Sequence, residues 1–233
     1  MPRRPGRGGP SITTIPLIHR NAHLFLDLED GLWLHDTGAP TSFGSRSCLD
    51  FLGQKFTIDD SYMGLDSEFL SEAVGVECKG LLGADVLSAF DQVIDLPGGR
   101  LILSFDELGH SGERLELDEF MGIPIISVTL SGEPFRMFFD TGAQVSYLQD
   151  DLLNTFPKAG RLEDFYPGFG QFETETHMVP FALGQVIHTL RCGQLPGLLG
   201  MSLMMADVQG ILGNAILEGR TVGYFPRRNM LSL

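Results

Sequence analysis

Apolar residues in this chain come in short runs. "HLFLDL", "GLWLHD", "DQVIDL", "RLILSF", "IPIISVTL" and "FRMFFD" place hydrophobic side chains at or near period two, with turn residues around each run. That pattern predicts short, half-buried strands. The Asp-Gly of "LEDGLW" is a hairpin signal between two such runs, and the Ser-Gly of "LSGEPF" is a comparable turn. Only Asp66–Val74 and Gln149–Phe156 read as helices, each beginning near an acid that suits the first turn. With 29 Gly and 13 Pro supplying turns, the expected fold is all-β with few short helices.

The pattern then repeats. A hairpin leads into "LHDTGA" at Leu34–Ala39, a variable middle follows, and Leu81-Leu82-Gly83 precedes two closing strands. A second hairpin leads into "FFDTGA" at Phe138–Ala143, and Ile211-Leu212-Gly213 again precedes two closing strands. "GLLG" at Gly197–Gly200 competes for that last position, but the residues after Gly213 align through to the final strand. Two copies make a duplication and not a solenoid. The division read from this is a basic disordered tail at 1–10, an N-terminal lobe at 11–105, a polar connecting segment at 106–120 and a C-terminal lobe at 121–233.

Charge and composition narrow the function classes. The net charge of −14 disfavours a nucleic-acid backbone or an anionic membrane and tolerates neutral or basic peptides. No apolar run approaches the roughly 20 residues that span a bilayer, and "SITTIPLIHRNAHLFLDL" is too interrupted for a signal peptide. Three scattered cysteines make no disulfide framework. A cytoplasmic or otherwise soluble protein is the expectation. His19 with His23, and His188 with Cys192, have i,i+4 spacing but lack further ligands, so no metal is expected.

The two turns share D-T-G-A-x-x-S, with Asp36, Thr37, Gly38, Ala39 and Ser42 in one and Asp140, Thr141, Gly142, Ala143 and Ser146 in the other. One Asp-Thr-Gly is ordinary turn chemistry. At about one in 20 per fixed position, one chance copy is rarer than about one in a thousand, so two are not coincidence. Each Asp follows an apolar strand, where an unpaired charge is costly. If the halves pack about a pseudo-twofold axis, Asp36 and Asp140 face each other and share one proton, which supplies a base and an acid together. Gly38 and Gly142 would permit the approach, the Thr37 and Thr141 hydroxyls would bond across the axis, and Ser42 and Ser146 would hydrogen-bond near the turns.

These paired motifs, with the two apolar-apolar-Gly segments, resemble the aspartic proteases of the pepsin/retropepsin superfamily, and more closely a retropepsin-like enzyme with both lobes in one chain. The resemblance covers about residues 11–233. It implies a two-lobed acid-protease fold, each lobe a small β-barrel-like unit, and a monomer with pseudo-twofold symmetry. It also implies an endopeptidase acting on extended polypeptide through the Asp36/Asp140 dyad, with no cofactor. The alternative is a weak or inactive retropepsin-like module that binds extended peptides. Ala39 and Ala143 follow the retropepsin pattern and imply a weakly acidic optimum, whereas His35, Ala84 and Asn214 depart from it. Two segments could form a flap over the cleft: Ile58–Glu68, with Tyr62 and Gly64, and Phe165–Thr176, with Gly168, Phe169 and Gly170, the second being preferred.

Overall fold

A computed structural model describes residues 11–166 and 170–233; the expected tail at 1–10 lies outside them. The fold is all-β with few short helices. Its first half runs β1 (Ile12–Arg20), β2 (His23–Leu28), β3 (Gly31–His35), β4 (Phe43–Gly44), β5 (Cys48–Phe51), β6 (Gln54–Thr57), α1 (Ser67–Val74), β7 (Gly80–Leu82), α2 (Ala84–Leu87), β8 (Asp91–Asp95) and β9 (Arg100–Ser104). The second runs β10 (Arg114–Phe120), β11 (Ile123–Leu130), β12 (Glu133–Phe139), β13 (Ser146–Leu148), β14 (Lys158–Tyr166), β15 (Gly170–Leu183), β16 (Val186–Gly193), α3 (Gly197–Met205), β17 (Gly210–Leu212), β18 (Thr221–Phe225) and β19 (Met230–Ser232).

The two halves share one wiring. Positive φ at Asn21 and Ala22, and at Met121 and Gly122, closes the first hairpin of each half, the turn type that matches the twist of paired strands. β3 then lies parallel to β7, with His35 opposite Leu82, and β12 lies parallel to β17, with Phe139 opposite Leu212. The strand after each Asp turn runs antiparallel to the same central segment, Phe43 opposite Leu81 and Tyr147 opposite Ile211. Each apolar-apolar-Gly segment is thus threaded between the strand entering an Asp turn and the strand leaving it. "GLLG" at Gly197–Gly200 lies in α3 instead.

The halves meet in a continuous sheet of order β1-β9-β8-β18-β19-β10, in which Val222 of β18 pairs with Ile94 of β8. One buried apolar cluster runs through both halves, from Trp33, Leu82 and Phe90 to Phe139, Leu212 and Tyr224. Two smaller clusters flank the Asp turns. One contains Phe43, Leu70 and Leu81, the other Tyr147, Leu203 and Ile211.

Two sequence expectations need correction. The segment 106–120 is not all connector: Arg114–Phe120 is strand β10, because its alternating Leu115 and Leu117 reach the core while the charges between them face outward. Gln149–Phe156 holds a short 3-10 turn, Asp151–Thr155, capped by Asp150, and not an α-helix. The other helical segment forms α1, where Asp66 caps the Phe69 N–H at 2.9 Å and Gly75 ends the helix at φ +65°. Among the described residues, no helix is long and apolar enough to cross a membrane.

Candidate active site

Asp36 and Asp140 stand at matching points, just past the ends of β3 and β12. Each backbone N–H is anchored to the threaded segment, Asp36 to the Leu82 carbonyl and Asp140 to the Leu212 carbonyl, both at 3.0 Å. Each turn then folds onto its own carboxylate. Asp36 Oδ1 accepts the Gly38 and Ala39 N–H groups at 2.9 and 3.0 Å, and Asp140 Oδ1 accepts those of Gly142 and Ala143 at 2.8 and 3.2 Å. Ser42 Oγ and Ser146 Oγ brace the turns from behind, accepting the N–H groups of Gly83 and Gly213. Ala84 and Asn214, the next residues, donate N–H bonds to the Ala39 and Ala143 carbonyls.

Across the axis, the two threonines interlock. Thr37 Oγ1 donates to the Phe139 carbonyl at 2.7 Å and accepts the Thr141 N–H at 3.0 Å; Thr141 Oγ1 donates to the His35 carbonyl at 2.9 Å and accepts the Thr37 N–H at 3.0 Å. All four groups are buried, so each bond satisfies a polar atom that water cannot reach.

The carboxyls of Asp36 and Asp140 are in hydrogen-bond contact. Burial, and then the Asp140 charge, push Asp36 well above the usual carboxylate range. Burial also raises Asp140, while the hydrogen bond from Asp36 opposes that rise. The two carboxyls therefore titrate as one coupled pair that can share a single proton between them. This arrangement can draw a proton from water with one carboxyl and donate a hydrogen bond with the other.

Three departures from twofold symmetry bear on the second turn and a fourth on the first. Buried His23 donates from Nδ1 to the Gly142 carbonyl at 3.1 Å, and burial lowers its pKa. Asn214 Nδ2 donates to the Ala22 carbonyl at 2.8 Å and the Thr141 carbonyl at 3.1 Å, whereas its counterpart Ala84 has no such group. His35, where the other half has Phe139, bridges Thr141 Oγ1 and Gln92 Oε1, each at 2.9 Å. Because the Gln92 amide donates to the Leu87 carbonyl, its oxygen faces the ring and accepts the His35 Nε2–H, which leaves Nδ1 and the His35 carbonyl as competing acceptors for the one Thr141 hydroxyl hydrogen. Burial lowers the His35 pKa and keeps the ring neutral. The first turn has its own extra tie, since Asp85 accepts both the Ser42 hydroxyl and N–H, at 2.6 and 2.9 Å.

The flap candidates separate clearly. Tyr62 and Gly64 belong to a tight turn that leads into α1 and is not a projecting hairpin: Tyr62 and Leu65 exchange backbone bonds of 2.9 Å around Met63 and Gly64. The second candidate is a true hairpin of β14 and β15, with Tyr166 paired to Gly170. Gly170 has φ +96°; Gly168 and Phe169 lie outside the described residues. Leu162, Tyr166 and Phe172 of this hairpin pack on the cluster that includes Ala143 and Tyr147. Phe165 packs on the other half's cluster, which includes Ala39, and its ring lies 5.0 Å from that of Phe69. The hairpin thus touches the apolar surroundings of both Asp turns.

Sequence reasoning brought the ten turn residues to one place but missed His23, Gln92, Asp85 and Asp164. His23 and His188 stood out only for metal spacing; His23 binds the Gly142 carbonyl, and His188 Nδ1 accepts from Arg220 at 3.2 Å. No local signal marks the other three, because their partners lie 43 or more residues away, or, for Asp164, on a different strand.

No family model matches the chain, and no curated protein matches it. Among solved structures, basic 7S globulin from soybean is similar over 95% of this chain and 94% of that chain, at 10% identity and a TM-score of 0.49. A likeness that distant carries no functional argument. The membership in the pepsin/retropepsin superfamily implied by the paired motifs is corrected accordingly: no family model supports it, and the similar structure named above is a globulin and not a retropepsin. The site therefore rests on its own geometry.

Proposed function

We propose that this chain is an aspartic endopeptidase, hydrolysing peptide bonds of an extended polypeptide that lies between the Asp turns and the β14–β15 hairpin. The observation that carries this reading is the carboxyl pair itself: two buried aspartates in hydrogen-bond contact, each aligned by two turn N–H groups and holding one proton between them. Asp140, as carboxylate, takes a proton from water while the water oxygen bonds to the peptide carbonyl carbon. Asp36 hydrogen-bonds the carbonyl oxygen as it gains charge. The Asp36 proton passes to that oxygen, giving a gem-diol; as the C–N bond breaks, Asp140 gives the proton it took from water to the leaving nitrogen and a diol hydroxyl returns one to Asp36. The interlocked threonines keep the carboxyls from separating when charge moves, which is the preorganisation such a step requires. The open backbone of the hairpin suits main-chain recognition of an extended substrate.

The test is cleavage of a peptide library between about pH 3 and 7 by wild type, Asp36→Asn and Asp140→Asn. Wild type should cleave and both variants should not. Cleavage that survives in either variant removes the dyad from the mechanism. Binding without cleavage by wild type would replace this reading with a non-catalytic peptide-binding module.

A further inference from the structure

The β14–β15 hairpin brings a third carboxyl group towards the Asp turns. Leu162, Asp164 and Tyr166 alternate onto one face of β14, and Leu162 and Tyr166 pack on the cluster that includes Ala143, Val145 and Tyr147. Asp164 on that same face accepts the Tyr147 hydroxyl, and its other oxygen accepts the Phe165 N–H at 2.8 Å. Tyr147 is the residue after Ser146, on the strand that leaves the second Asp turn. Asp164 is thereby tied to the wall of the dyad.

Its charge is not neutralised there. Two other acids of the hairpin are paired across the strands, Glu175 with Lys158 and Glu173 with Arg161, each at 2.8 Å. Asp164 has no Lys or Arg ion-pair partner among the described residues. The nearby His23 is held neutral by burial even though the Asp164 charge opposes that shift, and the same charge helps to raise Asp140. A half-buried carboxylate that feels Asp140 but lacks a counter-ion disfavours an acidic ligand and favours a cationic one.

We infer that Asp164 is a specificity residue that selects substrates with a Lys or Arg side chain beside the Asp140 half of the site. This rests on the peptidase reading above. Its chemistry is an ion pair made across the cleft by the substrate, with the Tyr147 hydroxyl holding the carboxylate in place.

The experiment uses short labelled peptides in matched pairs, Lys against Met, with the pair moved through each position. Cleavage is measured with wild type and Asp164→Asn. Binding is measured by anisotropy with Asp36→Asn, alone and combined with Asp164→Asn, since Asp36→Asn keeps the Asp140 carboxylate. At one position, the Lys peptide should be cleaved and bound about tenfold better than its Met twin, the scale of one well-placed charged contact. Asp164→Asn should bring that ratio near one: the amide oxygen still accepts the Tyr147 hydroxyl, and any shift of Asp140 acts on both twins alike and leaves the ratio untouched. A ratio near one in wild type, or one unchanged in the variant, overturns the inference. If no peptide is cleaved, the peptidase reading fails alone, and the binding ratios still decide the role of Asp164. If no peptide is bound either, both fail.

Discussion

A side-chain carbon on Gly38 would lie 2.2 Å from the carboxyl carbon of Asp140, and one on Gly142 would lie 2.4 Å from that of Asp36. Each aspartate therefore occupies the space that the opposite glycine leaves empty. The glycines have no left-handed backbone to explain them; they are required because the opposite carboxyl packs directly over the backbone. Gly38→Ala or Gly142→Ala should push the carboxyls apart and lower peptide cleavage by about 10²-fold, the cost of roughly 1 Å of misplacement. Near-wild-type turnover in either variant would show that the two carboxyls do not act together.

The dyad also has a pH signature. On the peptidase reading, activity requires one proton on the pair, so it falls on the acid side as the pair takes up a second proton and on the alkaline side as it loses the last one. With both groups raised, the whole profile should sit above that of ordinary carboxylates. For stability the sign reverses the usual carboxylate case: the folded state favours protonated Asp36, so its contribution is present below the unfolded pKa and is lost as pH rises through the folded one. Asp36→Asn should therefore stabilise the fold at pH 7 by about 1–3 kcal/mol, because each tenfold change in a protonation equilibrium is worth roughly 1.4 kcal/mol. In thermal melts that gain should vanish at a pH well below the ordinary Asp value of 3.8. An equal gain at every pH would place its origin elsewhere.

His35 and Gln92 form a buried pair for which the second half has Phe139 and Val222. His35→Phe strands the Gln92 oxygen and should cost about 1–3 kcal/mol, the penalty for one unsatisfied buried acceptor. Adding Gln92→Val should recover most of that loss in denaturant titrations. Because burial lowers the His35 pKa, its contribution is complete above 6.5, the value of an unburied His, and is lost as pH falls towards the folded pKa. The double variant should show a smaller stability loss on acidification than wild type. An equal loss would assign the acid sensitivity to other groups.

Asp91, fully buried, holds the closing strands of the second half to the first. Arg227 Nη2 reaches its Oδ1 at 2.9 Å, Arg228 reaches its other oxygen, and the Leu108 N–H donates to it at 2.9 Å. Asp91→Asn leaves Arg227 without its charge partner and Arg228 with only Glu107 at 3.8 Å, and should destabilise by about 3–5 kcal/mol. Replacing Arg227 and Arg228 with Met in that background should restore part of the loss. A loss below about 1 kcal/mol, the level of an exposed pair, would show that the clamp is not a stabilising element.

Much of the fold was legible because its signals are local. The hairpins at Asp30-Gly31 and Ser131-Gly132 follow from turn chemistry, and α1 follows from an Asp cap and a Gly stop. The connector was misread because β10 alternates charged and apolar residues, and polarity alone hides the half of a strand that is buried. The choice between flap segments was not decidable from their glycines. It depended on whether a long strand pair could be built, as in β14–β15, or only a tight turn before a helix, as at Tyr62–Leu65.

The duplicated D-T-G-A-x-x-S motif determined by itself which carboxylates, threonines, glycines and serines would matter, since each half needs the same local turn to hold an aspartate at a strand end. It could not determine how the two copies differ. Thr37 and Thr141 meet across 104 residues, Asn214 and Ala22 across 192, and His23 reaches Gly142 across 119. Asp164 reaches Tyr147 only because β14 presents that face to the second Asp turn. Such contacts are set by strand register and by the docking of the halves, where a one-residue slip reverses every face. The coupling of the two carboxyls and the placement of Asp164 beside the Asp140 half are therefore properties of the tertiary structure, because burial and mutual distance decide where charge can stand.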